Sequence, residues 1–136
     1  MSLRNFDRWG LLVLRLVVGF TFVMHGGQKY FNLGFPVMTV EMSKAGIPYP
    51  ELAGVVVTFV ELVGGAALMV GLATRYAGLL IAIEMGVAIW RVHWSYGFFA
   101  PHGVELPLAL GAAALALALT GPGDVSFDDI LFGREK

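Results

Sequence analysis

Four apolar stretches constrain this chain more than any other feature. They run from about Trp9 to Lys29, Glu51 to Leu72, Arg75 to Trp94 and Glu105 to Thr120. A bilayer core takes about 20 mostly apolar residues in a helix; the first three stretches reach that length and the fourth is the shortest. Of the 136 residues, 57% are hydrophobic and 14% charged, with a mean hydropathy of +0.76. A soluble domain carries about 25% charged residues, so disorder, a nucleic-acid-binding module and an ordinary soluble domain are excluded. A net charge of −1 implies no strongly charged partner. The absence of cysteine excludes disulfides, thiolate metal sites, iron–sulfur clusters and cysteine nucleophiles. The expected fold is all-α, an integral membrane four-helix bundle forming a single transmembrane domain over residues 1–136.

Local punctuation supports these boundaries. Gly26-Gly27 loosens the end of the first helix. Pro50-Glu51 suits a helix start, with proline in the first turn and an acid near the positive end of the dipole. Gly71 and Thr74-Arg75 make a tight connection, Pro107 falls in the first turn of the fourth helix, and Gly121-Pro122-Gly123 stops it. Arg15 interrupts the first apolar run and no small-x-small site follows, so the N-terminal stretch reads as a retained membrane helix, not a signal peptide. In the surface loop 32–49, Pro36 to Ala45 reads equally as a short amphipathic helix ended by Gly46, with Val37, Met38, Met42 and Ala45 on its apolar side, or as a loop lying on the membrane surface. In the tail 123–136, Ser126 and Asp129 have the spacing of a helix N-cap with an acid in the first turn.

Lysine and arginine in short loops set orientation. Arg4, Arg8, Arg75, Arg134 and Lys136 fall on one side, and Lys44 with the helix-edge residues Lys29 and Arg91 on the other. The expectation is that both termini are cytoplasmic, in a bacterial inner membrane. The aromatic run Trp94 to Phe99 then anchors the outer interface.

Ionisable groups inside membrane helices cost roughly 2.5–3.5 kcal/mol each, so they face the bundle interior and pair. Here they are Arg15, His25, Lys29, Glu61, Glu84, Arg91 and Glu105. Helical spacing puts Arg15, Gly19, Phe22, Gly26 and Lys29 on one face, with His25 alongside. Gly54, Thr58, Glu61 and Gly65 share a face of the second helix; Ala77, Glu84, Ala88 and Arg91 one of the third; Glu105, Ala109, Ala112 and Ala116 one of the fourth. Small or polar faces turned inward give a polar pocket open to the outer side, with Glu61 and Glu84 near mid-depth. Arg15 lies on the inner half, about 20 Å from Lys29 at 1.5 Å per residue. A purely structural ion network would show the same pattern, and Arg91, two turns from Glu84 on one face, suits that reading.

His25, His93 and His102 map to the outer side, but no spacing matches a metal motif and His93 points roughly opposite Glu84. Haem or metal ligation is therefore disfavoured. His25, one turn before Lys29, suits a hydrogen-bonding or proton-transfer role, and His102 a loop.

Together, Arg15-Leu-Val-Val-Gly19, His25-Gly-Gly-Gln-Lys29, Glu61-Leu-Val-Gly64-Gly65, Thr74-Arg75, Gly103-Val-Glu105 and Gly121-Pro-Gly123-Asp-Val-Ser126-Phe-Asp128 resemble the DoxX family of small bacterial four-helix membrane proteins. The resemblance implies a subunit or partner of membrane-linked oxidoreductases, related to the membrane subunit of a quinone-reducing thiosulfate oxidoreductase. Arg15, His25, Gly26, Lys29, Glu61, Glu105, Gly121, Gly123, Ser126 and Asp128 match the family pattern; Glu84, Arg91 and His93 rest on depth.

Three functions stay open: a quinone- or small-molecule-binding oxidoreductase component, a non-enzymatic accessory subunit, and a small solute or proton carrier. A quinone needs an apolar slot and a polar end, which His25, Lys29, Glu61 and Glu105 would supply. Without thiols or a dinucleotide fingerprint, electrons must come from a soluble or membrane redox partner or a bound cofactor. Four helices make a narrow conduit unless the protein forms a homo-oligomer.

Overall fold

The computed structural model describes residues 3–133, and those residues fold entirely into helices and loops. Arg134 and Lys136, used above for orientation, lie outside them. Six α-helices are present among the described residues: α1 (Leu3–Gly27), α2 (Phe35–Lys44), α3 (Pro50–Val70), α4 (Thr74–Ala88), α5 (Glu105–Thr120) and α6 (Phe127–Phe132). Two helices continue beyond their α-helical part as wider π-helical turns, α1 through Gln28–Leu33 and α4 through Ile89–His93.

Three of the helical runs are long and apolar enough to cross a membrane: Asn5–Leu33, Pro50–Val70 and Thr74–Tyr96. The fourth expected span, α5, has 16 residues, or about 24 Å of helix at 1.5 Å per residue. The clean four-span expectation is therefore met at three positions by length, and the short helices α2 and α6 are added to it. Most large apolar side chains on the long helices face outward, as in a multi-pass membrane protein: Val13, Val17, Phe20, Met24, Val63, Leu80 and Ile83 are all exposed.

Inside, α1 packs chiefly on α3, α4 on α5, and α3 joins the two pairs while carrying α2 on its flank. The core is Val18, Phe22, Leu68, Ala77, Ile81, Met85, Ala114 and Leu117. Small residues let the backbones approach. A Cβ on Gly65 would stand 2.7 Å from the Gly19 carbonyl and 2.7 Å from the Val23 amide. Gly78 faces the Ala114 carbonyl in the same way across α4 and α5.

The inward faces follow the expected stripes on α3, where Gly54, Thr58, Glu61 and Gly65 are all buried. They do not on α5. There Pro107, Ala114 and Leu117 are buried, while Glu105, Ala109, Ala112 and Ala116 are exposed. A helix built almost wholly of alanine and leucine carries no polar side to orient it, so packing of Ala114 on Gly78 chose the face. The amphipathic α2 buries Met38 and Met42 and leaves Val37 exposed.

The α3–α4 end of the bundle is closed by a polar clasp. Gly71 ends α3 at φ +73°, a conformation that favours glycine, and a Cβ there would also strike Ser126. Arg15, 2% exposed, donates from Nε to the Leu68 carbonyl at 3.1 Å. Its Nη1 donates to the carbonyls of Pro122 at 2.5 Å and Val125 at 2.8 Å. Asp128 accepts from the amides of Ala73 at 2.7 Å and Thr74 at 3.0 Å, capping the start of α4. Ser126 caps α6, accepting from the Asp129 amide at 3.1 Å as its spacing predicted. Arg75 donates to the carbonyls of Ala118 and Leu119 at the end of α5.

Candidate functional site

At the opposite end a cavity of about 690 Å³ opens between α1, α2, α3, α4 and the loop before α5. Its apolar wall includes Phe22, Met38, Met42, Met85 and Leu110. Its polar lining is His25, Lys29, Glu41, Lys44, Glu61, Glu84, Arg91, His93, Ser95 and Tyr96.

The centre of the polar lining is an ion pair. Lys29 Nζ donates to Glu61 Oε2 at 2.6 Å, with the two side chains 18% and 6% exposed. Helix packing explains why they meet. Gly26 sits directly against the backbone of Leu62, too close to admit a Cβ. This contact brings α1 and α3 together at the level of Glu61, so Lys29, one turn further on, can span the gap.

Glu84 comes in from α4. Both of its carboxylate oxygens are buried and meet no hydrogen-bond donor among the described residues. It interacts electrostatically with Glu61 and Lys29. The polar core of the cavity is thus two carboxylates and one ammonium.

The mouth is set by the π-helical turn of α4. In an unbroken α-helix His93, nine residues after Glu84, would point to the opposite side. The wider turn at Ile89–His93 shifts the register, and both Arg91 and His93 line the cavity. This corrects the expectation that His93 faces away. Arg91 is exposed and lies over the Trp90 ring, 4.2 Å from its centroid. His93 Nδ1 is 2.7 Å from the His102 carbonyl. A carbonyl only accepts, so Nδ1 carries the proton of that bond. His25 borders both this cavity and a neighbouring groove of about 560 Å³ lined by Val23, Gln28, Phe31 and Leu62.

Five of the seven expected residues therefore share one cavity: His25, Lys29, Glu61, Glu84 and Arg91. Arg15 lies in the clasp at the other end, bonded to three carbonyls. Glu105 begins α5, where it is exposed and accepts from the Ala100 amide at 2.9 Å, holding the preceding loop. The expected set did not include Glu41, Lys44, Ser95 or Tyr96. Glu41 and Lys44 pair at i,i+3, 3.4 Å apart, a pattern indistinguishable in sequence from a solvated helix face. Met38 and Met42 of the cavity wall were legible as the apolar side of α2, while Met85 comes from α4. Among the described residues, no group of three His, Cys, Asp or Glu side chains is arranged to hold a metal ion.

Comparison with known proteins places these features in a family. The DoxX family model matches residues 10–94, which include every expected site residue except Glu105. A Haemophilus influenzae protein of uncharacterized function is 32% identical over 98% of both chains. The Bacillus subtilis protein named "Putative oxidoreductase CatD" is 30% identical, covering 93% of this chain and 90% of its own. The Escherichia coli inner membrane protein YphA is 29% identical over 87% of each. No solved structure matches the chain. With its apolar helices, its close-packed glycines and a match over most of its length, the chain belongs to the DoxX family of membrane proteins.

Proposed function

We propose that this protein is a quinone- or small-molecule-binding component of a membrane-linked oxidoreductase system in the bacterial inner membrane. One observation carries the reading. An apolar cavity of suitable size ends in a partly buried Lys29–Glu61 pair with Glu84 beside it. A ring with polar substituents needs this combination of apolar walls and a few convergent polar groups. The name of the Bacillus relative accords with redox chemistry. The chain has no cysteine, so electrons would be supplied by a redox partner or a bound cofactor.

In this reading α5 completes a four-helix bundle, its shortness accommodated by local bilayer thinning. Both termini are cytoplasmic, with Arg4, Arg8, Arg75, Arg134 and Lys136 on the inner side. The clasp then faces the cytoplasm and the cavity opens outward. Val18, Phe22, Leu68, Ile81 and Leu117 fill the bundle between them, which favours a binding site over a conduit for ions. The accessory-subunit reading keeps one supporting observation: Arg15, Lys29 and Glu61 all find partners within the chain.

The test is binding of a short-tailed quinone to the purified protein. Binding should fall at least about tenfold in Glu61→Gln and Lys29→Ala, with helicity retained by circular dichroism. Unchanged binding in both variants rejects the site. Co-purification of the same soluble redox enzyme by wild type and both variants, without quinone binding, would instead establish the accessory role.

A further inference from the structure

The cavity and the neighbouring groove of about 560 Å³ share one lining residue, His25. It is half-buried and makes no hydrogen bond among the described residues, so no bond fixes its ring in one rotamer. The groove beyond it is largely apolar. Val23, Met24 and Phe31 line it from α1 and its π-helical turn, and Leu62 from α3. Met24 is 58% exposed and Phe31 76%. Gly27 lines the groove without a side chain, and a Cβ added there would meet nothing within 4 Å. All these residues lie within the membrane-crossing runs Asn5–Leu33 and Pro50–Val70. Gln28 and Asn32 border the groove toward the end of the first run.

The two sides of the cavity therefore differ in chemistry. The mouth carries Glu41, Lys44, Arg91 and His93, and a hydrocarbon chain laid among them would strip charged groups of water. The side at His25 adjoins alkyl and phenyl groups, which such a chain meets by dispersion contacts alone. A water-soluble ring needs only the mouth. An apolar groove with open space at membrane depth suits a ligand that is dissolved in the bilayer. We infer that the ligand carries an apolar tail, which runs past His25 into this groove while its ring lies against Lys29 and Glu61. The ligand class is then a ring with an alkyl or prenyl chain, drawn from the membrane rather than from water. The inference rests on the reading of the cavity as a quinone site.

The experiment titrates the full chain in lipid nanodiscs with decylubiquinone and with the tail-less dimethoxymethylbenzoquinone. Gly27→Phe fills the groove from a helical position, φ −61°, that has room for a side chain, and glycine is the poorer helix former of the two. The variant should lower the ratio of decyl to tail-less affinity about tenfold; partition into lipid is the same for both proteins and cancels. In the wild type, a decylquinone with a diazirine at its tail end should cross-link to Val23, Met24, Phe31 or Leu62, and excess tail-less quinone should displace it. That mapping decides the matter even if Gly27→Phe does not fold. An unchanged ratio in the folded variant, or cross-links confined to the walls or mouth of the cavity, overturns the groove and leaves the site standing. Groove cross-links that tail-less quinone does not displace mark the place of a lipid chain and overturn it equally. Binding of neither quinone overturns the site and the groove together.

Discussion

Replacing Lys29 by methionine keeps most of the side-chain length and removes the one ammonium between two carboxylates. Glu61 is 6% exposed and its Oε2 lies 2.6 Å from Lys29 Nζ. Removing one partner of a buried ion pair costs about 3–5 kcal/mol, because the other charge is left without compensation. Lys29 retains 18% side-chain exposure, so the loss is expected near the lower bound, about 3 kcal/mol. Glu84 makes the two halves of the pair unequal. Lys29→Met leaves Glu61 and Glu84 facing each other, whereas Glu61→Gln leaves Lys29 with Glu84 as an alternative partner. Glu61→Gln should therefore cost only about 1–2 kcal/mol, and the double variant should cost less than the sum of the singles by at least about 1 kcal/mol of coupling. Reversible unfolding in mixed micelles, followed by tryptophan fluorescence, measures all four species. A Lys29→Met loss below about 1 kcal/mol, the range of an exposed pair, would show that water already screens the pair. A Glu61→Gln loss larger than that of Lys29→Met would refute the placement of Glu84 beside them.

Three further perturbations probe the rest of the molecule. Arg15→Leu removes donors to three carbonyls in a site 2% exposed; it should cost at least about 3 kcal/mol and expose residues 122–133 to limited proteolysis, leaving ligand affinity in the surviving folded fraction unchanged. Gly65→Ala puts a methyl 2.7 Å from the Gly19 carbonyl; the resulting separation of α1 and α3 should cost about 1–3 kcal/mol, and it should weaken quinone binding by shifting Lys29 from Glu61. Asp128→Ala removes the cap of α4 and should lower stability by about 1 kcal/mol, while Asp128→Asn, which keeps one acceptor oxygen, loses less; no loss in Asp128→Ala would show that the capping bonds contribute nothing.

Hydropathy runs sufficed to read the helical class and the three long spans, because a membrane helix must satisfy its backbone internally and present apolar side chains to lipid. Spacing sufficed on α1 and α3. The stripe Arg15, Gly19, Phe22, Gly26, Lys29 is the face that meets α3, and Gly54, Thr58, Glu61 and Gly65 are buried against its neighbours. What spacing could not tell is that the two charged ends of the α1 stripe have separate tasks. A face holds over the length of a helix, but Arg15 and Lys29 stand about 20 Å apart, and what each meets depends on other segments: the returning tail for Arg15, α3 and α4 for Lys29.

The remaining differences have the same origin. Glu105 obeys the pattern of an intramembrane carboxylate but lies in the first turn of α5, where the nearest donor is a loop amide. His93 joins the cavity because a π-helical turn alters the register by which its direction was reckoned. By itself the sequence determined that this chain is helical, lies in a membrane and carries unusual charge inside it, since each of those properties is local to a segment or to one helix face. The division of that charge into a clasp at one end and a cavity at the other was decided only by tertiary structure, because it depends on which backbones glycine allows to touch and on which distant carbonyls and carboxylates those contacts bring within reach.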